Sequence, residues 1–538
     1  MKLMMISFLA ARAVHRGWGC AAAFQVIRSS GVSRSSFSPQ HQQQFEWWRH
    51  PSRCVGHHMS ASPTISCNDA ETNLANVLKA AYEDRETDGV QDIIRSNQIV
   101  EQLSAKGDVD AVADELVTAA VEASSSNKSL AAILNAILGS CCDSSSGSDE
   151  TESINNSAQV ALAILELIDE MHDEDESTMI KPDIVTLSLV YYSLCNQSNQ
   201  ESAQLILERA QQMSKKAAGS QRRRALAAER RKGSNTTKLD AKEAEKQLQA
   251  IYGPDIHILH ESDDLIVLSK AAGQVCYHTK KTSAGKISAK RKKAKKGAAP
   301  DDDGTKVDIS LEDSLIDMNF VLSTVNPVAR GIVHRLDRGT SGCICLAKSN
   351  EAHMKLIASF FLRRVKKKYL ALVPSPSSPS LEQEGVIDAL VGGKSAASKY
   401  RVVSTYHGDG DESSSLGLTL LEVETLTGRK HQVRVHCTEI GCPIIFDPLY
   451  SSFQPPVQAS RRKAKKDFQR NKRGKADNTE DTNQSSLPKA ISDLETTMIP
   501  GQEKFFLHAQ SLSIPEFDVD VQAPLPGWWT ETLDQLES

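Results

Sequence analysis

A short polar segment between two apolar runs places the strongest constraint on the fold. The segment HRLDRGTSG occupies residues 334–342, and the runs 331–333 and 343–347 flank it. This pattern predicts a strand, a tight turn and a second strand, so that the polar side chains lie at the mouth of a sheet. Gly339 and Gly342 permit the positive φ angles that tight turns use.

The turn contains a candidate nucleophile. Asp337 lies between Arg335 and Arg338 in the sequence, and nearby positive charges favour the ionised form of a carboxyl group. An ionised aspartate beside phosphate-binding groups is suited to attack on a nucleotide sugar. Residue chemistry alone leaves a second interpretation open, in which an Arg–Asp salt bridge only braces a β-turn.

The same segment resembles the H-R-L-D-x-x-T-S-G signature of the RluA/RsuA-like pseudouridine synthases. Three further segments resemble motifs of that family in the same order along the chain, at 256–278, 363–373 and 425–450. The first of them departs mildly from the family pattern, because Ala271 and Ala272 stand where a proline is usual.

The resemblance covers about residues 253–538 and implies an α+β pseudouridine synthase domain with a mixed, largely antiparallel sheet. Residues 507–509 resemble the last conserved strand of the family. Within the domain the sequence predicts a strand pair with a turn at Asp263 and Asp264, a helix at about Leu311–Val321, and a helix that Ser349 or Asn350 caps and that continues through Phe361. Two basic stretches of low complexity, 280–305 and 458–498, interrupt the domain, and we expect them to be disordered inserts.

The resemblance also implies which residues form the site. Asp337 matches the catalytic aspartate, Tyr369 the tyrosine of the K-x-Y-x-A-x-V segment, and Arg434 the arginine that pairs with the aspartate. Without the resemblance, Tyr369 would be interpreted as a core tyrosine of a strand. The residues implied to bind the substrate are Arg335, Arg338, Thr340, Gln432 and Val433. The residues expected to contact RNA phosphates are Arg363, Arg364, Lys366, Lys367, Lys368 and Arg429.

Several of these residues carry a more specific expectation. Arg335 is expected to fill the space that an extruded base leaves, and Val433 to pack against the target uracil. Gln432, Arg434 and His436 are expected to share one face of a helix start or short strand. His431 and His436 are expected to make structural hydrogen bonds.

The implied reaction breaks the C1′–N1 bond of a uridine, turns the uracil and rejoins it through C5. It needs no redox or energy input, so we expect no cofactor and no metal. A glycosidase would need two carboxyl groups, whereas this constellation offers one. The alternative functions are an RNA-binding helical-repeat protein with a non-catalytic synthase fold, and a hydrolase that releases uracil.

Composition limits the class of protein. The 11 cysteines include no CxxC pair, so we expect reduced thiols and no structural zinc. No apolar run reaches the roughly 20 residues that a membrane helix needs. The formal net charge is −5, but local basic runs are suited to RNA phosphates. We therefore expect an RNA partner (rRNA, tRNA or mRNA), no membrane and no obligate protein partner.

Residues 1–58 have the composition of a targeting segment, with no acidic residue before Glu46 and arginines among Ser and Ala. We expect a mitochondrial presequence rather than a plastid one, and a tail without targeting function is the alternative. Met59 offers a second start that would give a cytosolic form.

Residues 70–214 are expected to be α-helical. The segments 161–171 and 203–213 align with each other, and an apolar-periodic segment opened by Pro182 and Asp183 separates them. This arrangement within 128–214 resembles pentatricopeptide repeats, which read RNA bases, although simple helical packing explains it as well. The basic residues 215–250 are expected to form a solvated helix or linker.

Overall fold

The computed structural model describes residues 74–96, 99–104, 108–142, 151–174, 180–231, 241–278, 310–327, 329–375, 381–406, 417–451 and 504–537. The predicted presequence and the two predicted inserts lie outside these residues. The chain divides into two compact units, Met1–Ala210 and Gln211–Ser538.

The described part of the first unit is helical, as predicted. Its helices are α1 (Leu74–Arg85), α2 (Thr87–Ser96), α3 (Ile99–Ser104), α4 (Val109–Ala123), α5 (Asn127–Ser140), α6 (Thr151–Glu174) and α7 (Ile184–Asn196), and α8 (Gln200–Arg231) begins in this unit. Apolar side chains of α4, α5, α6 and α7 are fully buried, so the helices share a core.

The start of α7 shows how the sequence sets a helix boundary. Asp183 caps the helix by accepting a hydrogen bond from the backbone N–H of Thr186, and the Thr186 side chain completes a capping box. The Thr186 hydroxyl also donates to Asn135 of α5 at 2.9 Å. The predicted helical segments 161–171 and 203–213 lie within α6 and α8. Their assignment as pentatricopeptide repeats stays a prediction.

The second unit combines a sheet with helices. Its strands are β1 (His257–Glu261), β2 (Leu265–Lys270), β3 (Ser341–Ala347), β4 (Lys366–Pro374), β5 (Glu384–Asp388), β6 (Ala397–Tyr406), β7 (Leu418–Thr425), β8 (Leu507–Ile514) and β9 (Val519–Gln522). Its helices are the rest of α8, α9 (Ala241–Tyr252), α10 (Leu311–Asp317), α11 (Asn350–Phe361), α12 (Gln432–Glu439) and α13 (Gly527–Glu537), with a 3-10 turn at Pro515–Phe517.

In the described part of this unit the strands form one sheet in the order β1-β2-β3-β8-β4-β7-β6-β5, and β9 pairs with β8. Only the β3–β8 pair is parallel among these strand pairs. The prediction of a mixed, largely antiparallel sheet in an α+β domain is therefore confirmed.

Two predicted helices illustrate what local sequence can define. Ser349 caps α11 by accepting from the N–H of Ala352, and the helix ends at Phe361 as predicted. The helix expected to run from Leu311 to Val321 ends earlier, at Asp317. Asn319 adopts a left-handed φ of 63°, and the Phe320 N–H donates back to the Leu315 carbonyl at 3.0 Å, which is the hydrogen bond that closes a Schellman motif.

The parallel pair of strands brings distant parts of the chain together at Gly342. This residue pairs with Ala509 and has a φ of +105°. A Cβ atom at this position would lie 2.2 Å from the Ala509 carbonyl oxygen. Only glycine therefore allows β3 and β8 to approach directly after the polar turn.

Within the described residues, no helix is both long enough and apolar enough to cross a membrane.

We predict that Gly342→Ala destabilises the second unit by about 3 kcal/mol or more, because it adds a backbone clash to an unfavourable φ angle. Gly392→Ala is the matched control, because Gly392 also has a positive φ (+63°) but no atom lies within 4 Å of the place that an added Cβ would occupy. It should cost only about 1–2 kcal/mol, from backbone strain alone. Urea denaturation of both variants measures the difference, and equal losses would contradict the role of the close approach.

Candidate active site

The turn that carries Asp337 is held by backbone hydrogen bonds on both sides. The predicted strand before the turn is reduced to a single bridge between Ile332 and Leu346, whereas the predicted strand after it is β3. The Thr340 N–H donates to the Asp337 carbonyl at 3.1 Å. His334 accepts from the Cys345 N–H at 2.9 Å, so its ring joins the start of the turn to β3.

His334 is a structural residue of this turn. Its ring stacks on Phe360 of α11, with the centroids 4.9 Å apart. Burial, with a smaller effect of the Lys367 charge, lowers the pKa of His334 to about 3. The imidazole therefore stays neutral and keeps a lone pair for the Cys345 N–H.

The Asp337 carboxylate contacts two side chains of the segment around α12. Nη1 of Arg434 donates to its Oδ2 at 2.9 Å, and Nε2 of His431 lies 3.4 Å from its Oδ1. The side chain of Asp337 is 21% exposed, while that of Arg434 is 4% exposed. The arginine is thus enclosed, whereas the aspartate remains accessible to solvent.

Arg434 is held by a second carboxylate. Its Nε and Nη2 donate to Oδ2 and Oδ1 of Asp447 at 2.6 and 2.8 Å, and its guanidinium lies 4.7 Å from the centroid of the Phe505 ring. Burial opposes the charge, but hydrogen bonds and charge from Asp447, then Asp337, raise the pKa of Arg434 above its ordinary value. The guanidinium is therefore fixed in place and permanently charged.

Asp447 was not singled out by sequence reasoning. It accepts from the backbone N–H of Leu449 at 2.8 Å and of Tyr450 at 3.2 Å, besides binding Arg434. These bonds satisfy its oxygens in a fully buried position. Asp447 is the acidic residue of GCPIIFDPLY (441–450), which lies in a segment that resembles a family motif. The sequence assigned no role to it.

Tyr369 lies on β4 near the aspartate and is half-buried. Burial raises the pKa of its phenol, and the negative charge of Asp337 raises it further. Tyr369 is therefore a neutral phenol at physiological pH. It can offer a ring face and an O–H group, but it is not a ready anionic base.

Lys270 supports the turn that carries Asp337, a role that sequence reasoning did not assign. Its fully buried ammonium donates to the carbonyl oxygens of Ala271, Gln274 and Arg338 at 2.9, 3.1 and 3.2 Å. Burial lowers the pKa of Lys270 to about 8, although the Asp337 charge opposes this shift. The lysine therefore fastens the end of β2 to the turn that carries Asp337.

The two arginines beside Asp337 point to other partners. The Arg335 guanidinium lies 5.5 Å from the Tyr277 ring centroid, with Nη1 3.5 Å from the Tyr277 hydroxyl. Nε of Arg338 donates to the Gly273 carbonyl at 3.1 Å. The ion pair that the structure places at the carboxylate is with the distant Arg434, so sequence adjacency was a poor guide to the charge partner.

The expectation that Gln432, Arg434 and His436 share one face is wrong. They lie in a helix, α12, in which residues four apart share a face and residues two apart do not. Gln432 donates to the Ser398 hydroxyl oxygen at 2.9 Å, and a ring nitrogen of His436 lies 3.0 Å from the same oxygen. Arg434 instead projects towards Asp337 and Asp447.

Three of the residues predicted to bind the substrate lie in protein contacts. The Gln432 amide donates to the Ala397 carbonyl and to Ser398, and it accepts from Thr427 and from the Arg429 N–H. Its hydrogen-bonding capacity is used up by the protein. Val433 is buried in a core cluster, and Thr340 is buried as well.

The basic residues predicted to contact RNA do not form one surface. Lys368 and Tyr369 are successive residues of β4 and so project to opposite faces of the sheet. Lys368 pairs with Glu422 at 3.3 Å, whereas the Lys367 ammonium lies 5.7 Å from the Phe360 ring centroid, on the side of His334.

The remaining predicted RNA contacts lie outside that strand or at its start. Nε of Arg429 donates to the Ser395 carbonyl at 3.0 Å. Lys366 is exposed, Arg363 and Arg364 are half-buried, and Arg363 has a positive φ of 58° after α11.

The known proteins that this chain resembles are described as pseudouridine or pseudouridylate synthases. Residues 264–439 match the family model described as RNA pseudouridylate synthase. The chain is 31% identical over 222 residues to ribosomal large subunit pseudouridine synthase D of Pseudomonas aeruginosa, covering 38% of this chain and 57% of the relative. The corresponding protein of Nitrosomonas europaea is 33% identical over 214 residues, covering 37% of this chain and 51% of the relative.

A plant relative is also similar. The chloroplastic RNA pseudouridine synthase 2 of Arabidopsis thaliana is 34% identical over 140 residues, which cover 23% of this chain and 31% of the relative. The chain thus spans about half the length of the bacterial relatives and less of the plant one.

We predict that Asp447→Ala destabilises the second unit by about 3–5 kcal/mol, because it leaves the enclosed Arg434 guanidinium without its bidentate partner. Lys368→Ala is the matched control, since it also breaks one ion pair, but its side chain is 44% exposed; the loss should stay within about 1 kcal/mol. Urea denaturation provides the measurement. Similar losses of stability in the two variants would show that the buried Arg434–Asp447 pair contributes no more than the exposed Lys368–Glu422 pair.

Proposed function

We propose that this chain, whose residues 264–439 match the family model described as RNA pseudouridylate synthase, isomerises uridines in RNA to pseudouridine. The observation that carries the proposal is the ion pair between Arg434 and Asp337. The buried Arg434 guanidinium binds two carboxylates, that of Asp447, which is fully buried, and that of Asp337, which is partly exposed. An aspartate held in this way presents a negative oxygen at the protein surface, next to the ring of Tyr369.

Asp337 is proposed to act on the ribose of the target uridine. In the direct route its oxygen forms a bond to C1′ while the C1′–N1 bond breaks and the uracil leaves as an anion. The uracil turns, its C5 attacks C1′, and the ester bond to Asp337 breaks. Loss of the C5 proton and protonation of N1 then give the carbon-linked product. In the alternative route, Asp337 takes the C2′ proton as the C1′–N1 bond breaks, so that a glycal forms instead of the ester, and the proton returns to C2′ when C5 bonds to C1′.

Tyr369 is proposed to hold the uracil while it turns. A neutral phenol has no charge that would repel a uracil anion, and its ring offers a stacking surface. Because burial and the Asp337 charge both raise its pKa, its O–H group remains available as a hydrogen-bond donor. It can relay a proton only by passing on its own as it receives another.

Arg335 is proposed to take the place of the extruded nucleotide. It is exposed and lies on the Tyr277 ring, so RNA can draw it away at the cost of one cation–π contact, worth about 0.5–1 kcal/mol at an exposed site. Unstacking a paired base costs a few kcal/mol, and a guanidinium that fills the gap offsets part of this cost.

Ribosomal RNA is the first substrate to test, because two relatives are named for the ribosomal large subunit; transfer RNA and messenger RNA are the alternatives. We also propose that residues 1–58 direct the protein to an organelle. The plant relative named chloroplastic supports a plastid rather than the mitochondrion that the composition of this segment favoured.

We predict that Asp337→Asn abolishes pseudouridine formation, with at least about a 10⁴-fold loss of rate, because the amide neither attacks C1′ nor accepts a proton effectively. RNA binding should change little, since one surface charge is lost. Tritium release from 5-³H-uridine RNA measures turnover, and filter binding measures affinity. Normal turnover of the variant would exclude Asp337 as the nucleophile, and free uracil as the product of the unsubstituted protein would indicate a hydrolase.

We predict that Arg335→Ala lowers the rate about 10-fold or more on structured RNA but much less on an unstructured strand with the same target, because only the structured RNA must unstack a base. Arg401→Ala is the control, since Arg401 is an exposed arginine on the opposite side of the sheet from Tyr369 and pairs with Glu422. Equal losses on the two RNAs would argue against the space-filling role.

A further inference from the structure

His431 has an unusual backbone. It immediately precedes α12 with φ 61° and ψ 21°, which is a left-handed conformation. Non-glycine residues seldom adopt it, and they do so where the surrounding structure demands it. The His431 side chain makes no capping hydrogen bond to α12, so capping does not explain why a histidine occupies this place.

The imidazole instead bridges two side chains of the site. Its Nδ1 lies 3.1 Å from the Tyr450 hydroxyl, its Nε2 lies 3.4 Å from Oδ1 of Asp337, and the His431 and Tyr450 rings meet edge to face. The Asp337 carboxylate can only accept. The neutral tautomer that suits both contacts carries its proton on Nε2, so that Nδ1 accepts from the Tyr450 hydroxyl.

The surroundings keep this ring neutral. The charged and titratable groups around it are Asp337, Arg434, Lys430, Asp447 and Tyr450. Burial lowers the pKa of His431, Arg434 and Lys430 lower it further, and Asp337 and Asp447 oppose this shift. A neutral ring directs an N–H group at the carboxylate without neutralising its charge.

We propose that His431 is a positioning residue for the proposed isomerisation, and that with Tyr450 it aims Oδ1 of Asp337 at the substrate. The two carboxylate oxygens are treated differently. Oδ2 accepts a short charge-assisted bond from Arg434 at 2.9 Å, which draws electron density from it. Among the described residues, Oδ1 has only the longer contact with the neutral ring, so it is the oxygen that attacks C1′ or accepts the C2′ proton.

The test replaces the ring in two ways. His431→Gly suits the left-handed backbone and removes the N–H group, so any loss is not due to backbone strain. His431→Gln places an amide N–H near the position of Nε2. We expect kcat to fall about 10- to 100-fold in the glycine variant, as for a misaimed reacting group, with KM changed less than about twofold, and to recover at least partly in the glutamine variant.

Tyr450→Phe tests the relay. It removes the hydroxyl that fixes the ring, so kcat should fall several-fold, and adding this change to His431→Gly should cause no further loss because the two residues act as a unit. Independent losses, a change confined to KM, or a glycine variant with the normal kcat would each overturn the proposal.

A second readout does not depend on turnover. In the full chain labelled with ¹⁵N-histidine, the resonance that His431→Gln removes should show a neutral ring protonated on Nε2. In Asp337→Asn its pKa should fall, because the carboxylate charge that favours the protonated ring is gone. A ring protonated on Nδ1, or an unchanged pKa, would refute the assignment. If the unsubstituted protein made no pseudouridine, the proposed function would fail while this measurement still tested the contact.

Discussion

One buried guanidinium organises the candidate site. Arg434 bonds to Asp447 through two nitrogens and to Asp337 through the third. A buried charge is costly unless it is paired and its hydrogen bonds are satisfied. The fold meets this requirement with Asp447, which is itself held by two backbone N–H groups. Asp337 is therefore the partner that can remain partly exposed and available for chemistry.

The sheet brings these groups together from distant parts of the chain. Asp337 precedes β3, Tyr369 lies on β4, and β8 lies between these two strands. The approach of β3 to β8 depends on Gly342, and Lys270 ties the turn to the end of β2. Tyr369 is thus held in the middle of the sheet by ladder hydrogen bonds, and the turn that carries Asp337 is tied to the neighbouring strands β2 and β3.

Local sequence predicted the local features well. The hairpin around Asp263 and Asp264, the cap at Ser349 and the strand after the polar turn follow from turn residues, capping and alternation. The sequence did not predict the charge partner of Asp337 from proximity, because Arg335 and Arg338 are adjacent along the chain but bind Tyr277 and Gly273. Only the family resemblance pointed to Arg434. Asp447 belongs to a segment that resembles a family motif, but no role was assigned to it, since an acidic residue in a loop has no local signature of burial.

The periodicity of a segment decides which of its side chains lie on the same face. This explains why the expectation for the α12 segment was wrong. Gln432, Arg434 and His436 were expected on one face, as alternation in a strand would give. In the helix α12, Gln432 and His436 instead meet Ser398, and Arg434 turns to the carboxylates. A segment as short as eight residues, which follows a histidine with a left-handed φ, carries too little periodic information to separate the two cases.

Asp447 also explains how the Arg434 guanidinium can stay paired during the proposed reaction. If Asp337 forms an ester with the ribose, it loses its negative charge, and a guanidinium paired with it alone would become a buried, uncompensated cation. Because Asp447 keeps both of its bonds to Arg434, the guanidinium stays paired whether Asp337 is free or esterified. In the described part of the chain, Lys270 donates to carbonyl oxygens and to no carboxylate, and the Asp337 charge is one of the effects that raise its pKa. Its ammonium is the group whose proton affinity should fall when the ester forms, while its three carbonyl acceptors still hold the turn in place.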